Sequence, residues 1–276
     1  MLDATHGSKR RGLAERFDAA LPFALTAVGL LHPESPLIWF ASLAIAFVAI
    51  AGTLLIGAGL SAYASLFYGA RIQGVRRRPP PILSEAGVTA QAAWVAASFA
   101  AWPIAQSWLG HPIGLVWSLE AAGLSLWGVL VQTFFGVLAI DLWLYVKHRL
   151  LHTRALFVFH KAHHAYRDPT PFAGFAVGPV ESLMTFWPIL LLCIPEATHW
   201  GPAYFGLVLG FIVLNFYLHC GVTLPLIERT LPRLWLNTSA FHNIHHSHVR
   251  ANFGEPLTLW DHVCKTRLED LERGAR

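Results

Sequence analysis

Charge is scarce in this chain. Only 13% of its 276 residues are Asp, Glu, Lys or Arg, against roughly 25% in a soluble domain. Hydrophobic residues make up 55% and the mean hydropathy is +0.48, which argues against an ordinary water-soluble domain. Cysteine is scarce too. Cys193, Cys220 and Cys264 are odd in number and lack C-x-x-C spacing, so neither a disulfide framework nor a thiolate metal site is indicated. No internal repeat occurs, and the low-complexity piece Pro79-Pro80-Pro81 reads as a stiff linker. The net charge of +4 and pI near 9.2 come from scattered residues with no nucleic-acid motif. Contact with anionic lipid heads is the expected use, and nucleic acid is not an expected partner.

Lys and Arg are missing from three turns, His32-Pro33-Glu34-Ser35-Pro36, Gly110-His111-Pro112 and Pro195-Glu196-Ala197-Thr198-His199. They gather instead in the N-terminal tail, the Arg71–Arg78 loop, the segment around His148–Arg167 and the part after His219. Six apolar elements alternate between these two kinds of turn: Ala19–Leu31, Leu37–Tyr68, Val88–Leu109, Leu115–Tyr145, Phe175–Ile194 and Pro202–Tyr217. A span needs about 20 apolar residues. The positive-inside rule then places both termini in the cytoplasm. Ala19–Leu31 is short for a span. If it only lies on the surface, Leu37–Tyr68 must itself form a hairpin or a re-entrant pair, although at 32 residues it is not too long for one tilted span. Arg76-Arg77-Arg78 is expected to act only as an orienting charge. Lys9, Arg10, Arg11 and Arg16 precede a short apolar stretch with no small-residue cleavage site, so no signal peptide is expected.

Histidine is what this chain has in unusual pattern. Three clusters read His148-x-x-x-His152, His160-x-x-His163-His164 and His242-x-x-His245-His246. Positions i, i+3 and i+4 share a helix face, so each cluster aims two or three imidazoles one way. Neutral imidazole is the commonest metal ligand. Eight imidazoles exceed the three or four protein ligands of a single zinc site, which points to two metals. Packed together without metal they would repel when protonated and stay unsatisfied when neutral. The isolated His6, His32, His111 and His199 read as surface or core residues.

Other residues attach to this centre by position. The run from Asp141 to His152 has no Gly or Pro, so a helix is expected to leave the membrane carrying His148 and His152. Asp141, two turns earlier on the same face, is a candidate to support a ligand histidine or to pair a cation. Ala155–Tyr166 is expected as a helix stopped by Asp168-Pro169. Thr238 lies in a stretch that reads as the N-cap of the third cluster. His219, at the end of the sixth apolar element, is the ninth candidate ligand. Asn215, four residues earlier, is a weak tenth or the holder of a metal-bound water. Glu181 in an apolar run marks a functional site or an ion pair with an arginine. His248 and His262 are expected outside the ligand set. Trp143, Tyr145, Phe157, Phe159 and Trp260 are candidates to shape a substrate pocket.

The series Asp141, Tyr145, His148-Arg149, His152, His160, His163-His164, His219, His242, His245-His246, Leu259-Trp260-Asp261 and Thr266 resembles the fatty acid hydroxylase / sterol desaturase superfamily. The resemblance covers roughly residues 130–268. It implies an all-α integral membrane bundle of about four to six membrane helices, topped by a cytoplasmic cap with a histidine-lined dimetal site. It implies two iron ions, with zinc as a possible substitute, and O2 as co-substrate. The reaction implied is hydroxylation or desaturation of a lipid such as a fatty acyl chain or sterol. Electrons would come from a separate ferredoxin or cytochrome b5 type of donor, since no His-Pro-Gly-Gly haem motif is present. Supporting roles beside the ligands fall to Asp141, Glu181 and Asp261. The chain departs from the family at Cys264-Lys265-Thr266, where Phe-Gly-Thr is common, and at Gly178-Pro179, where His-Pro is common. It departs again at Asn215, where some members have histidine.

The residue types argue the same chemistry. Lipid C–H bonds offer no handle for acid–base catalysis, whereas all-imidazole ligation suits Fe, Cu, Zn and Ni. A zinc hydrolase would want a Glu inside the cluster, as in H-E-x-x-H, but the spacers are Arg-Leu-Leu, Lys-Ala and Asn-Ile. A metal transporter or storage protein would want polar residues near the midplane of several spans. The expected layout is a disordered basic tail over 1–16, an N-terminal membrane region over 17–130, a catalytic region over 131–268 and a C-terminal tail over 269–276. Short loops and Ala-rich spans favour a bacterial inner membrane.

Overall fold

A computed structural model describes residues 12–76, 79–120 and 123–274. The chain is mostly helical. Its helices are α1 (Leu13–Val28), α2 (Pro36–Ala64), α3 (Ile82–Trp108), α4 (Leu126–Leu151), α5 (Phe157–His160), α6 (Pro179–Phe186), α7 (Gly201–Leu218), α8 (Pro225–Thr230), α9 (Ser239–Ser247), α10 (Leu259–Cys264) and α11 (Leu268–Gly274). Four of them, α2, α3, α4 and α7, are long and apolar enough to cross a bilayer. Their outer faces carry exposed Val48, Ile56, Phe134, Phe135, Leu209 and Val213, as lipid contact requires. This is an integral membrane protein.

Between the spans the chain still passes from one end of the bundle to the other. Asp18 near the start of α1 accepts the Val180 N–H at 2.8 Å. The α1 end reaches Gly29, which lies against the Trp39 ring in the first turn of α2. Residues 179–193 start beside the histidines and end where Leu192 O accepts the Gly114 N–H at 2.8 Å. That segment is α6 followed by a 3-10 helix over Trp187–Cys193, opened by Pro188, which cannot donate to a helix ladder. The 3-10 part rises faster per residue, so 15 residues cover about 26 Å. Six passages therefore return the chain to the end where it began.

Leu37–Tyr68 holds one helix, α2, as a single span. Other elements differ from expectation. Residues 115–125 do not extend α4. Ser125 caps its N-terminus through the Gly128 N–H, and β2 (Leu115–Val116) pairs in parallel with β3 (His199–Trp200). A second two-residue pair joins β1 (Ala70–Arg71) to β4 (Val222–Thr223) at the histidine end. The basic tail is helical from Leu13 on, while residues 1–11 lie outside the described residues. Most of the expected C-terminal tail is α11.

Small residues let the central helices meet. Ala97, Ala101 and Ala105 of α3 face Trp39, Leu43 and Ala46 of α2, the close approach typical of membrane helices. Nearer the histidines, Ala51, Leu54 and Ala58 of α2 meet Ala93, Phe175 and Phe216, which ties the site-bearing segments to the bundle. A Cβ on Gly57 would stand 2.5 Å from a Phe216 ring carbon. Gly57→Val is expected to cost about 1–3 kcal/mol by overpacking and to lower the unfolding temperature in detergent. An unchanged melting curve would contradict this packing.

Candidate metal centre

Four short pieces of backbone assemble the site. The uninterrupted helix α4 delivers His148, and His152 follows at its C-cap. His160 ends α5, and His163 and His164 open a 3-10 turn over His163–Ala165. His219 caps the C-terminus of α7. Helix α9, started by Thr238 accepting the Phe241 N–H, holds His242, His245 and His246. The second cluster is thus not the continuous helix expected over Ala155–Tyr166.

All nine histidines converge in two groups. One is His148, His152, His160, His164 and His245, the other His163, His219, His242 and His246, and within each the ligand atoms lie within 4.8 Å of one another. The two H-x-x-H-H motifs are used in opposite senses. His160 and His164 join the first group and His163 the second, whereas His242 and His246 join the second and His245 the first. Each motif therefore bridges both positions.

The nitrogens fit a cation. Nε2 atoms of His152 and His164, and of His160 and His164, lie 3.1 Å apart. The pairs His219–His242 and His242–His246 lie 3.0 and 3.2 Å apart. Imidazoles bound at about 2.1 Å to one ion would sit roughly 3.0–3.4 Å apart. On four of the rings the opposite nitrogen is held, while the Nδ1 atoms of His163, His164, His242 and His246 are buried with no hydrogen-bond partner. His148 Nδ1 donates to Phe253 O at 2.8 Å, His245 Nδ1 to Ala251 O at 2.7 Å, His219 Nδ1 to Asn215 O at 2.9 Å and His160 Nδ1 to Glu181 Oε2 at 2.7 Å. This fixes the tautomer that leaves Nε2 free for a metal. The Nε2 atoms of His148 and His245 are buried with no hydrogen-bond partner, a cost that an ion would remove.

Burial, and then the proximity of other imidazoles, pushes the pKa values down, to about 3 for His152, His164 and His245. His219 is pushed by burial to about 4, and His160, His163, His242 and His246 lie well below the usual 6.5. The rings are neutral and ready to bind metal near neutral pH. The unfolded chain binds more protons than the folded one between these values and 6.5. The contribution of these histidines to the stability of the metal-free protein is therefore full above about pH 6.5 and declines as the pH falls toward 4. Chelator-treated protein should melt several degrees lower at about pH 5 than at about pH 7.5, and equal melting temperatures would contradict burial of the neutral rings.

Of the residues expected to support the cluster, Glu181 meets His160, not an arginine. Asp261 acts one step away: it accepts the N–H groups of Phe253 and Gly254 at 2.9 and 2.6 Å, and a 2.5 Å bond from Thr266 Oγ1. Thr266 in turn meets the Tyr145 hydroxyl at 2.8 Å. Asp141 supports no histidine; its Oδ1 accepts the Leu257 N–H at 2.9 Å. Seven helical residues separate it from His148 by about 10 Å, beyond side-chain reach. Asn215 binds His219 through its backbone carbonyl, and its Oδ1 is buried without a hydrogen-bond partner. His262 packs on Trp235 and His248 is exposed. His111 pairs with Glu34, and His32 stacks on Trp102.

A cavity of about 40 Å³ adjoins the histidines. Its apolar wall is Phe175, Val177, Phe186, Phe211, Leu214 and Leu218, and Asn215 also lines it. The expected pocket residues lie elsewhere. Trp143 donates to Met184 O at 2.8 Å, Tyr145 is held by Thr266, and Phe157 packs on the rings of His152 and His164. Sequence reasoning missed Lys147 and Glu255, which line the cavity as a pair. A lysine in the last turns of an apolar helix was the available signal. It also missed a second task for Arg76. Arg71 and Arg76 both grip Asp168, at 2.6 and 2.7 Å, and so hold the loop after His164. Arg77 and Arg78 lie outside the described residues.

Residues 133–266, just under half of the chain, match the family model for fatty acid hydroxylase. The chain is 34% identical over 125 residues to lathosterol oxidase of Rattus norvegicus, covering 45% of this chain and 40% of that protein. It is 30% identical over 152 residues to sphingolipid C4-hydroxylase SUR2 of Saccharomyces cerevisiae, covering 51% and 42%. It is 28% identical over 146 residues to methylsterol monooxygenase 1 of Gallus gallus, covering 51% and 47%. The chain thus spans less than half the length of these relatives. No solved structure matches it.

Proposed function

We propose, for a chain that belongs through residues 133–266 to the fatty acid hydroxylase / sterol desaturase superfamily, that it is an O2-dependent di-iron oxidoreductase that hydroxylates or desaturates a membrane lipid. The observation that supports this most is the pairing of two neutral all-imidazole groups with one adjoining cavity whose wall is in part apolar, through Phe175, Val177, Phe186, Phe211, Leu214 and Leu218. Hydroxylation converts a C–H bond, O2, two electrons and two protons into C–OH and water. Desaturation takes the same inputs, removes two hydrogens from adjacent carbons and gives two waters. The electrons would come from a separate carrier of the ferredoxin or cytochrome b5 type.

Two iron ions held by the nine histidines would supply the O2 reduction and hydrogen abstraction that no side chain here can perform. Zinc could occupy the same ligands without that redox chemistry. The protein's part is to hold and exclude. The second histidine group has four members to the first group's five, and its His163, His219 and His242 line the cavity. Asn215 Oδ1, buried without a partner beside His219, is suited to accept a hydrogen bond from a water or hydroxyl on that four-histidine side. Phe175, Phe186, Phe211 and Leu214 keep water from the reacting carbon. Glu181 and the carbonyls of Phe253, Ala251 and Asn215 hold the rings of His160, His148, His245 and His219 in their binding tautomer.

A hydrolase reading is less well supported. The two glutamates lining the cavity are engaged, Glu181 by His160 and Glu255 by Lys147. A transporter reading meets the difficulty that all nine histidines sit at one end of the bundle. The concentration of Lys and Arg at that same end supports a cytoplasmic site in a bacterial inner membrane. The deciding experiment is metal analysis with Mössbauer spectroscopy on detergent-purified protein from iron-57-grown cells. About two irons per chain with a coupled di-ferric signal is the expected result. Zinc alone after iron-replete growth would overturn the oxygenase reading.

A further inference from the structure

The cavity beside the histidines is not apolar all round, and that bears on the substrate. Lys147 is almost fully buried, its side chain only 3% exposed, and its Nζ lies 2.7 Å from Glu255 Oε1. The same ammonium donates to Thr185 Oγ1 at 3.1 Å. Lys147, Thr185 and Glu255 all line the cavity, as do His148, His160, His163, His219 and His242. A lysine ammonium has three donors, and these two partners account for two. Burying an ion pair stabilises a fold little, since well-packed apolar residues often do as well or better. A wall made only to guide hydrocarbon would have no use for it. The cavity of about 40 Å³ has room for only a few water-sized groups. Whatever segment lies there is within reach of the imidazoles and of the lysine together.

We infer that the lipid oxidised here carries a hydrogen-bonding group, a hydroxyl, carbonyl or amide, within a few bonds of the carbon presented to the metal centre, and that Lys147, with Thr185 and Glu255, binds that group. The inference rests on the oxidoreductase reading above and narrows its substrate class. It excludes oxidation in the middle of an unsubstituted alkyl chain.

The test uses the full iron-loaded chain in membranes, with a reduced ferredoxin and its reductase as electron source, followed by mass spectrometry of the host lipids. Products are lipids one oxygen heavier or two hydrogens lighter that are missing with the His163→Ala variant. The new group is expected on a carbon adjacent to, or one or two carbons removed from, a carbon already bearing oxygen or nitrogen. With that lipid as substrate, Lys147→Met should lower kcat/KM by about 10- to 100-fold, mainly through KM, the size expected for losing a hydrogen bond to a charged group. Its iron content should stay at the wild-type level, and Lys147→Arg should recover part of the loss. A product oxidised far from any polar group overturns the inference and leaves the oxidoreductase reading standing. Wild-type KM in Lys147→Met also overturns it, as does a loss in kcat alone. No His163-dependent product from iron-loaded protein overturns the oxidoreductase reading, and the inference falls with it.

Discussion

His163→Ala should abolish lipid oxidation and reduce the metal content from about two ions per chain to about one, with the membrane bundle still folded. His163 belongs to the four-histidine group, so its removal leaves three imidazoles there and five in the other. His245→Ala, which takes the larger group from five to four, should retain more metal but still lose most activity. Neither residue belongs to the packed clusters around Trp39 and Phe216, so expression and helicity should persist. Metal analysis and product formation on the same preparations decide the matter. Wild-type turnover with two irons in His163→Ala would end the assignment of these histidines as ligands.

Glu181→Gln should weaken metal retention or activity by about 10- to 100-fold, the usual cost of disturbing a group that orients a ligand histidine. The carboxylate meets His160 Nδ1 at 2.7 Å, with both side chains at most 4% exposed. The amide keeps the shape but loses the charge that strengthens the bond and makes the imidazole a better donor to metal. Asp141→Asn provides the contrast. Its partner is the Leu257 N–H, so it should lower thermal stability and leave the metal content near two. The two variants are compared by titrating a chelator against bound iron. Equal retention in wild type and Glu181→Gln would show that this carboxylate does not tune the site.

These contrasts mark how far local pattern reaches. Helix periodicity made His148 and His152 legible as a pair, because α4 runs without a break and side chains four residues apart share a face. The same rule failed for the second cluster. There the backbone leaves α-helical geometry after His160, whereas the continuous helix α9 divides the same spacing between the two groups. Glu181 was legible as an anomalous charge in an apolar run, but its partner was not. The histidine that meets it lies 21 residues away, and no short-range rule connects them.

Composition and charge placement alone established a helical membrane protein with its basic residues and histidines at one end. Those properties depend on counts and on short periodicities, which follow directly from residue order. Division of nine imidazoles into groups of five and four needed the tertiary structure. So did the placement of Lys147 and Glu255 in one cavity, the grip of Arg71 and Arg76 on Asp168, and the failure of Asp141 to reach a ligand. Each depends on which faces of α2, α3, α4, α7 and α9 meet across long stretches of chain, and that is set by the packing of small against large side chains in the bundle.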